Sequence, residues 1–315
     1  MLAELIRYPD AVYAFDARYM RPGLAAVHLI VEHGRVAVVD TAHNASLPHF
    51  LGALDSLGLG LEAVDYVFLT HVHLDHAGGA GAYMEKLPHA KLVVHPRGAR
   101  HMIDPTQLFA GASAVYGAEN TRQIYGAPVP VPAARVIEAA DGQIFTLAGR
   151  PLHCLHTPGH ARHHQCIWDE RARVCFTGDA FGAAYREMTI DGQPFLFPAT
   201  TPIQFDPEAM KTSVRLLLAL RPQAMYLTHF SRIDDIDRQG ALLLRRIDDF
   251  VALAEAAPGE GVARKQAIQA ALQNYFMAES PAAEKVDAAW LGPVLEVDLD
   301  LNAQGLAWWL AHREA

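Results

Sequence analysis

The sequence predicts an α/β fold in which sheets are covered by helices, and three observations carry that expectation. Short runs rich in β-branched residues recur along the first 230 or so residues. They alternate with helix-spaced stretches through short connections, the order expected of a helix-covered sheet. The tripeptide Leu-Thr-His stands at 69–71 and again at 227–229, each time at a strand end, which suggests two similar halves.

Taken in order, residues 25–40 (AAVHLIVEHGRVAVVD) read as two strands joined by a tight turn at His33-Gly34. Pro48 to Leu57 carries apolar residues at helical spacing, and DYVFLTH (65–71) is short and apolar enough for a buried strand. In HLDHAGGAGAYMEKL a glycine cluster permits close backbone approach before a helix starts, and KLVVH (91–95) is the next strand. Residues 96–140 break this rhythm with Pro96, Pro105, Gly111, Gly117, Gly126 and the prolines of 128–132, with short helical stretches between them. A connection that long is usually functional, as a lid or a pocket wall. Strands return in QIFTLAGRPLHCLHT and HHQCIWDERARVCFTGD, with turns at Gly149-Arg150 and Asp169-Glu170. A second irregular stretch, 181–205, carries Phe181, Tyr185, Phe195, Phe197 and Phe205. Asp206 and Pro207 then form an N-cap and first-turn proline for a helix running to about Leu220. AMYLTHF (224–230) is the last core strand, helices follow at 234–256 and 263–278, and Asn302 caps a closing LAWWLAH helix. Trp308 and Trp309 dock that last helix, with a homodimer contact as the alternative.

Composition removes several classes of function. The 315 residues are 51% hydrophobic and 19% charged, an ordinary globular balance, and the net charge of −9 with no basic run argues against nucleic acid as a partner. The first residues, MLAELIRYPDAVYAFD, lack the pattern of a secretory signal, and no apolar stretch reaches roughly 18 residues, so neither export nor a membrane partner is expected. Three cysteines, Cys154, Cys166 and Cys175, are too few and too odd in number for a disulfide framework. They read as small buried hydrophobes, and the location expected is cytoplasmic.

Histidine is the unusual residue, 17 in all and unevenly placed. His71, His73, Asp75 and His76 put four ligand-type side chains within six residues at a strand-to-helix turn. No regular strand or helix aims all four one way, but a turn followed by glycines can direct them into one or two adjacent metal sites. Nitrogen and carboxylate donors in this mix suit zinc, manganese or iron rather than calcium or magnesium. Three later residues share the setting: His160 after the Pro158-Gly159 turn, Asp179 closing FTGD, and His229 closing the second Leu-Thr-His. Thr70, Thr157, Thr177 and Thr228 each sit one to three residues before a ligand, where a hydroxyl can support the turn or the ligand. His28, His95, His101 and His163 read as structural or solvent-exposed.

The HxHxDH motif, followed in order by a His, an Asp and a His at strand ends, resembles the metallo-β-lactamase superfamily, in its glyoxalase II-like and lactonase-like branch, over roughly residues 20–235. The resemblance implies an αββα sandwich, residues 1–232, with 96–140 and 181–205 as pocket loops and 233–315 as a helical C-terminal extension packed on it. It implies two divalent metal ions, expected to be zinc with iron or manganese as alternatives. His71, His73 and His160 would hold one, Asp75, His76 and His229 the other, and Asp179 would bridge them. Asp40, closing VAVVD, matches the family's early structural aspartate, and His164 matches a supporting histidine in HxxxH spacing. Thr70 and Thr228 join them as support. Lactonase-like members contact the substrate carbonyl through a tyrosine shortly after the bridging aspartate. Tyr185 stands later than that, and it is kept as a substrate contact together with Phe181, Phe109 and Tyr116.

What this implies chemically is hydrolysis of a small-molecule ester, lactone or thioester. Two cations sharing a water lower its pKa from about 16 toward 7 and polarise the carbonyl, while Asp75 and Asp179 are the candidate catalytic carboxylates. Secreted β-lactamases of the commonest dinuclear type carry a cysteine where this chain has Asp179. Two alternatives stay open: a persulfide dioxygenase-like enzyme holding one iron through His71, His73 or His160 and Asp179, and a non-catalytic protein that binds a ligand through its metal.

Overall fold

A computed structural model describes residues 4–280 and 288–313, and the backbone falls into two compact units. The first comprises residues 1–156, 163–178 and 222–232, and the second 157–162, 179–221 and 233–315.

The first unit holds two sheets. Seven strands lie in chain order: β1 (Leu5–Arg7), β2 (Val12–Asp16), β3 (Ala26–Glu32), β4 (Arg35–Val39), β5 (Val64–Phe68), β6 (Lys91–Val94) and β7 (Val136–Glu138). From β1 to β4 the pairing is antiparallel, and from β4 to β7 it is parallel. The second sheet contains β8 (Ile144–Leu147), β9 (Arg150–His156), β10 (Gln165–Asp169), β11 (Val174–Gly178), β12 (Ala224–Leu227) and the edge strand β13 (Ser231–Ile233), in the order β13-β12-β11-β10-β9-β8. Strands β1, β2, β7 and β13 are additions to the sequence expectation, being short or polar at one end.

The sheets pack face to face. Val12, Ile30, Val39, Phe68 and Val93 from the first meet Leu147, Leu152, Cys154, Ile167, Phe176 and Tyr226 from the second in one dry core. Alternation along each strand supplies those residues to one face. Cys154, Cys166 and Cys175 are buried and reduced, the role expected of small apolar side chains.

The hairpin expected at His33-Gly34 is present, with φ of 45° and 78° at its two loop residues, the left-handed pair that a two-residue turn requires. The next hairpin turns one residue earlier than expected: Ala148 and Gly149 form its loop, and Arg150 opens β9. Arg150 is 2% exposed. Its Nε donates to Asp169 Oδ2 at 2.8 Å and its Nη1 to the Asp10 carbonyl at 2.8 Å, with Glu32 Oε2 3.5 Å away.

Helices of this unit are α1 (Leu47–Ser56), α2 (Leu74–Ala77), α3 (Ala80–Lys86), α4 (Pro96–Ile103), α5 (Thr106–Tyr116) and α6 (Ala118–Tyr125). Phe50, Ala53 and Leu54 give α1 its buried stripe, with Phe50 stacked on Tyr83 of α3. The stretch 96–140 is mostly helical rather than loop, since α4 to α6 fill 96–125 with breaks at Asp104-Pro105 and at Gly117. Helix formation also starts before the glycine cluster, in the single turn α2.

The second unit contains α7 (Pro207–Ala219), α8 (Ile236–Ala256), α9 (Gly261–Glu279) and α10 (Ala288–His312), with 179–206 almost free of regular structure. Asp206 caps α7 as expected, its Oδ1 accepting from the Ala209 N–H at 3.0 Å. Asn302 is not a cap: α10 runs through it unbroken, and its side chain serves another purpose described below. Trp309 docks against Phe205 and Trp308 stacks on His312 one turn later. Among the described residues, no helix is long and apolar enough to cross a membrane.

One buried group of the first unit predicts acid sensitivity. His28, on β3 between Phe176 and Tyr226, shares a 3.2 Å hydrogen bond with Ser231 Oγ, and burial pulls its pKa down to about 4. The unfolded chain then binds a proton near pH 6.5 that the folded chain refuses. Stability is therefore full above pH 6.5 and falls as pH drops toward 4, by about 3 kcal/mol from this group alone. Denaturant titrations of the protein and of His28→Gln from pH 7 to 4 should show a shallower pH slope in the variant.

Candidate metal centre

Strand ends of the first unit carry the first set of candidate ligands. Asp40 follows β4 with a left-handed φ of 60°, a conformation that Asp tolerates better than most side chains. Its carboxylate gathers two segments. Oδ1 accepts from the Thr70 N–H at 2.8 Å, while Oδ2 accepts from Thr70 Oγ1 at 2.9 Å, Thr228 Oγ1 at 2.8 Å and His76 Nδ1 at 2.8 Å. Thus the loop after β5 and the loop after β12 are tied to one buried anion. Thr41 adds a bond from its N–H to the His76 carbonyl at 2.7 Å, which seats α2 on the loop after β4.

Those bonds fix tautomers. A carboxylate or a carbonyl only accepts, so each ring nitrogen facing one must carry the proton. His76 Nδ1 faces Asp40, and His229 Nδ1 faces the Leu24 carbonyl at 2.6 Å. In the neutral rings, Nε2 is then the lone-pair atom. Both Nε2 atoms turn toward Asp75, at 3.6 Å (His76) and 3.3 Å (His229) from its Oδ2. These three side chains present one ligand atom each, all within 4.8 Å of one another. Two ligands at about 2.05 Å from a tetrahedral zinc sit ~3.4 Å apart, so the spacing fits a divalent cation. With both rings neutral, three lone pairs face one another, an arrangement that a bound cation would relieve.

His71 and His73 lie beside this set. The His71 ring is fully buried, with ring centroids 4.5 Å from His73, 4.0 Å from His76 and 4.9 Å from the nearly parallel His164. Asp75 is 25% exposed and His73 is half-buried, which leaves this end of the loop open to solvent. Gly178, at the end of β11 with φ 48°, lies where a Cβ would stand 2.5 Å from Thr70 Oγ1 and 2.8 Å from His164 Nε2. Glycine there lets the strand end lie directly against Thr70 and His164. His163, expected from the sequence to be structural or exposed, is buried with its ring 5.5 Å from His73 and 6.1 Å from His71. Only its adjacency to His164 could have signalled it.

The second unit holds His160 and Asp179, with His160 Nε2 3.4 Å from Asp179 Oδ2, again the separation of two ligands on one cation. Gly159, at φ 136°, lies against the first turn of α7, where a Cβ would meet the Met210 backbone at 2.3 Å. Bonds from the Asp206 N–H to the Gly159 carbonyl and from Ser213 Oγ to the Pro158 carbonyl pin this turn from the α7 side. His160 Nδ1 donates to the Ala199 carbonyl at 2.9 Å, so its tautomer is set as in His76 and His229.

The substrate-contact candidates are placed as follows. Phe109 is half-buried on α5 and, with Leu74, Met102, Tyr125 and Val129, lines an apolar cavity of the first unit. Phe181 is buried in the second unit, and the Tyr185 hydroxyl donates to Asp298 Oδ1 at 2.8 Å while its ring packs on Phe197. The side chain of Tyr116 lies outside the described residues.

Comparison with known proteins gives the family. The profile of the Metallo-beta-lactamase superfamily matches residues 20–229, more than half of the chain, and the chain belongs to that superfamily. It is 26% identical over 212 residues to the metallo-beta-lactamase fold-containing protein ST1585 of Sulfurisphaera tokodaii, covering 66% of this chain and 73% of that one. The crystal structure of the metallo-beta-lactamase family protein TTHA1429 from Thermus thermophilus superposes with a TM-score of 0.64 at 21% identity, covering 100% of this chain and 93% of that one. An atrochrysone carboxyl ACP thioesterase of Aspergillus chevalieri is 30% identical over 111 residues, 35% of this chain. The chain spans 25% of that relative's length.

Proposed function

We propose that the protein is a dinuclear metal-dependent hydrolase that cleaves an ester, lactone or thioester of a small molecule. The observation that carries the proposal is the Asp75–His76–His229 set, with two imidazoles locked by acceptors on Nδ1 and presenting Nε2 to one carboxylate. The order of ligand residues along the chain supports assigning His71, His73 and His160 to one cation, Asp75, His76 and His229 to the second, and Asp179 to both. Bound divalent cations would supply a water of lowered pKa and polarise the scissile carbonyl.

The chain's own residues do the rest. Asp40 holds its two threonines and His76 in register, so the donor atoms need no rearrangement when a cation arrives. Asp75, the exposed member, is placed to orient an incoming water and to accept its proton. The cavity walled by Leu74, Met102 and Phe109 offers an apolar substrate arm a dry surface beside the ligand loop. Thioesters rank first among the substrates because relatives with that name match this chain.

Elemental analysis followed by an assay panel tests the proposal. Two metals per chain and turnover of thioesters or lactones, lost with a chelator and regained with zinc or manganese, are the expected results. A fully metallated protein that turns over no ester, lactone or thioester sinks it.

A further inference from the structure

The C-terminal extension carries no motif in its sequence, yet one of its polar residues is buried in the middle of a helix. Asn302 of α10 is 2% exposed, and Asn is a poor choice for a helix interior unless its side chain finds partners. Those partners lie on the strap 199–201. The Thr200 N–H donates to Asn302 Oδ1 at 2.6 Å, and the Thr200 hydroxyl donates to the same oxygen at 2.9 Å or to the Asn302 carbonyl at 3.2 Å.

The Thr200 N–H and the Ala199 carbonyl belong to one amide. That amide is planar and rigid, with its donor and acceptor pointing opposite ways. Its carbonyl end accepts from His160 Nδ1 at 2.9 Å, and its N–H end is held by Asn302. Fixing one end fixes the other, and donation at the N–H strengthens the carbonyl as an acceptor. One turn further along α10, Gly305 lies so close to the strap that a Cβ would stand 1.6 Å from the Thr200 carbonyl oxygen. Helix and strap meet backbone to backbone only because that residue is glycine.

We infer that Asn302, through the Ala199–Thr200 amide, and Gly305, by admitting the strap, position the imidazole of His160. The C-terminal helix is thus part of the metal-binding scaffold. This rests on the reading of His160 as a ligand. Asn302 is a positioning residue, since it acts through the amide and touches neither substrate nor metal.

The test uses the full-length metallated protein, zinc competition against a chelator and the visible absorption of the cobalt-substituted form. Asn302→Ala weakens binding of one metal equivalent about tenfold and shifts the cobalt bands, in the range found when support of a ligand histidine is lost. Asn302→Asp, which keeps an acceptor oxygen, binds the metal as tightly as the parent. Gly305→Ala moves in the same direction as Asn302→Ala. Trp309→Ala loosens the same helix through its Phe205 contact and leaves metal affinity unchanged. Should Asn302→Ala not fold, Thr200→Val deletes only the hydroxyl bonds and carries the test, with a loss of about threefold. Parent-like affinity in a folded Asn302→Ala, or an equal loss in Trp309→Ala, overturns the inference. Unchanged metal content in His160→Ala overturns the ligand reading beneath it instead.

Discussion

His229→Ala lowers kcat/KM for the best ester, lactone or thioester about a thousandfold, roughly 4 kcal/mol of transition-state stabilisation, and halves the metal content. The effect is large because His229 is one of the three side chains of its set and its donor is already turned toward Asp75. Its Nε2 lies 3.3 Å from Asp75 Oδ2, and its Nδ1 bond to the Leu24 carbonyl holds the ring in place before any cation binds. In the proposed centre, alanine leaves the second cation with Asp75, His76 and the shared Asp179, one donor short of its full set. Fold is retained, since the residue sits beyond the end of β12 and outside the sheet core. The same variant separates the readings that the sequence left open. A mono-iron enzyme built on His71, His73 or His160 and Asp179 does not use His229 and keeps its iron and its oxygen consumption. Elemental analysis with an activity assay decides, and full activity in His229→Ala removes the two-metal mechanism.

The sequence makes some parts of this legible and hides others for physical reasons. The ligand loop is readable because four donors in six residues have no bland explanation, and because Thr70 and Thr228 precede their histidines identically. Asp40 is reachable only by resemblance, as nothing in VAVVD announces that its last residue will accept from Thr70, Thr228 and His76. His163, read as structural or solvent-exposed, is the buried kind, with its ring beside those of His71 and His73. Asn302 misleads for an instructive reason. Asn before an apolar run is a good local cap signal, but a carbonyl oxygen that can cap its own helix can equally accept from Thr200, about a hundred residues back in the chain. In 96–140, Pro105 and Gly117 mark breaks between helices, Gly126 and the prolines of 128–132 end the helical run before β7, and Gly111 breaks nothing, since it lies inside α5. Pro96 stands at a first helical position, where its missing N–H costs nothing.

Arg150→Met costs the fold about 3–5 kcal/mol, the second large effect and one unrelated to metal. The sequence suggests half of a hairpin turn for Arg150, but the residue opens β9 with its guanidinium 2% exposed against a fully buried Asp169. Taking both charges from water is expensive, and the pair is worth keeping mainly because either partner alone is worse. Methionine fills much of the same volume and leaves Asp169 with no cation in contact, so the loss measures an uncompensated carboxylate rather than a cavity. The companion change isolates that cause. Asp169→Asn removes the charge while its remaining oxygen can still accept from the Ala172 N–H, as Oδ1 does now at 3.2 Å. The double variant Arg150→Met/Asp169→Asn should therefore be more stable than Arg150→Met alone, and equal or lower stability in the double variant removes the charge argument. Function should not follow stability here. Glu32, which completes the cluster at 3.5 Å, lies opposite Arg35 in the β3–β4 register at the start of β4, whereas Asp40 lies past the other end of that strand. The folded fraction of Arg150→Met should accordingly keep its metal and its kcat while unfolding at lower denaturant. A fall in kcat for the folded fraction would mean that the two ends of the sandwich are mechanically coupled.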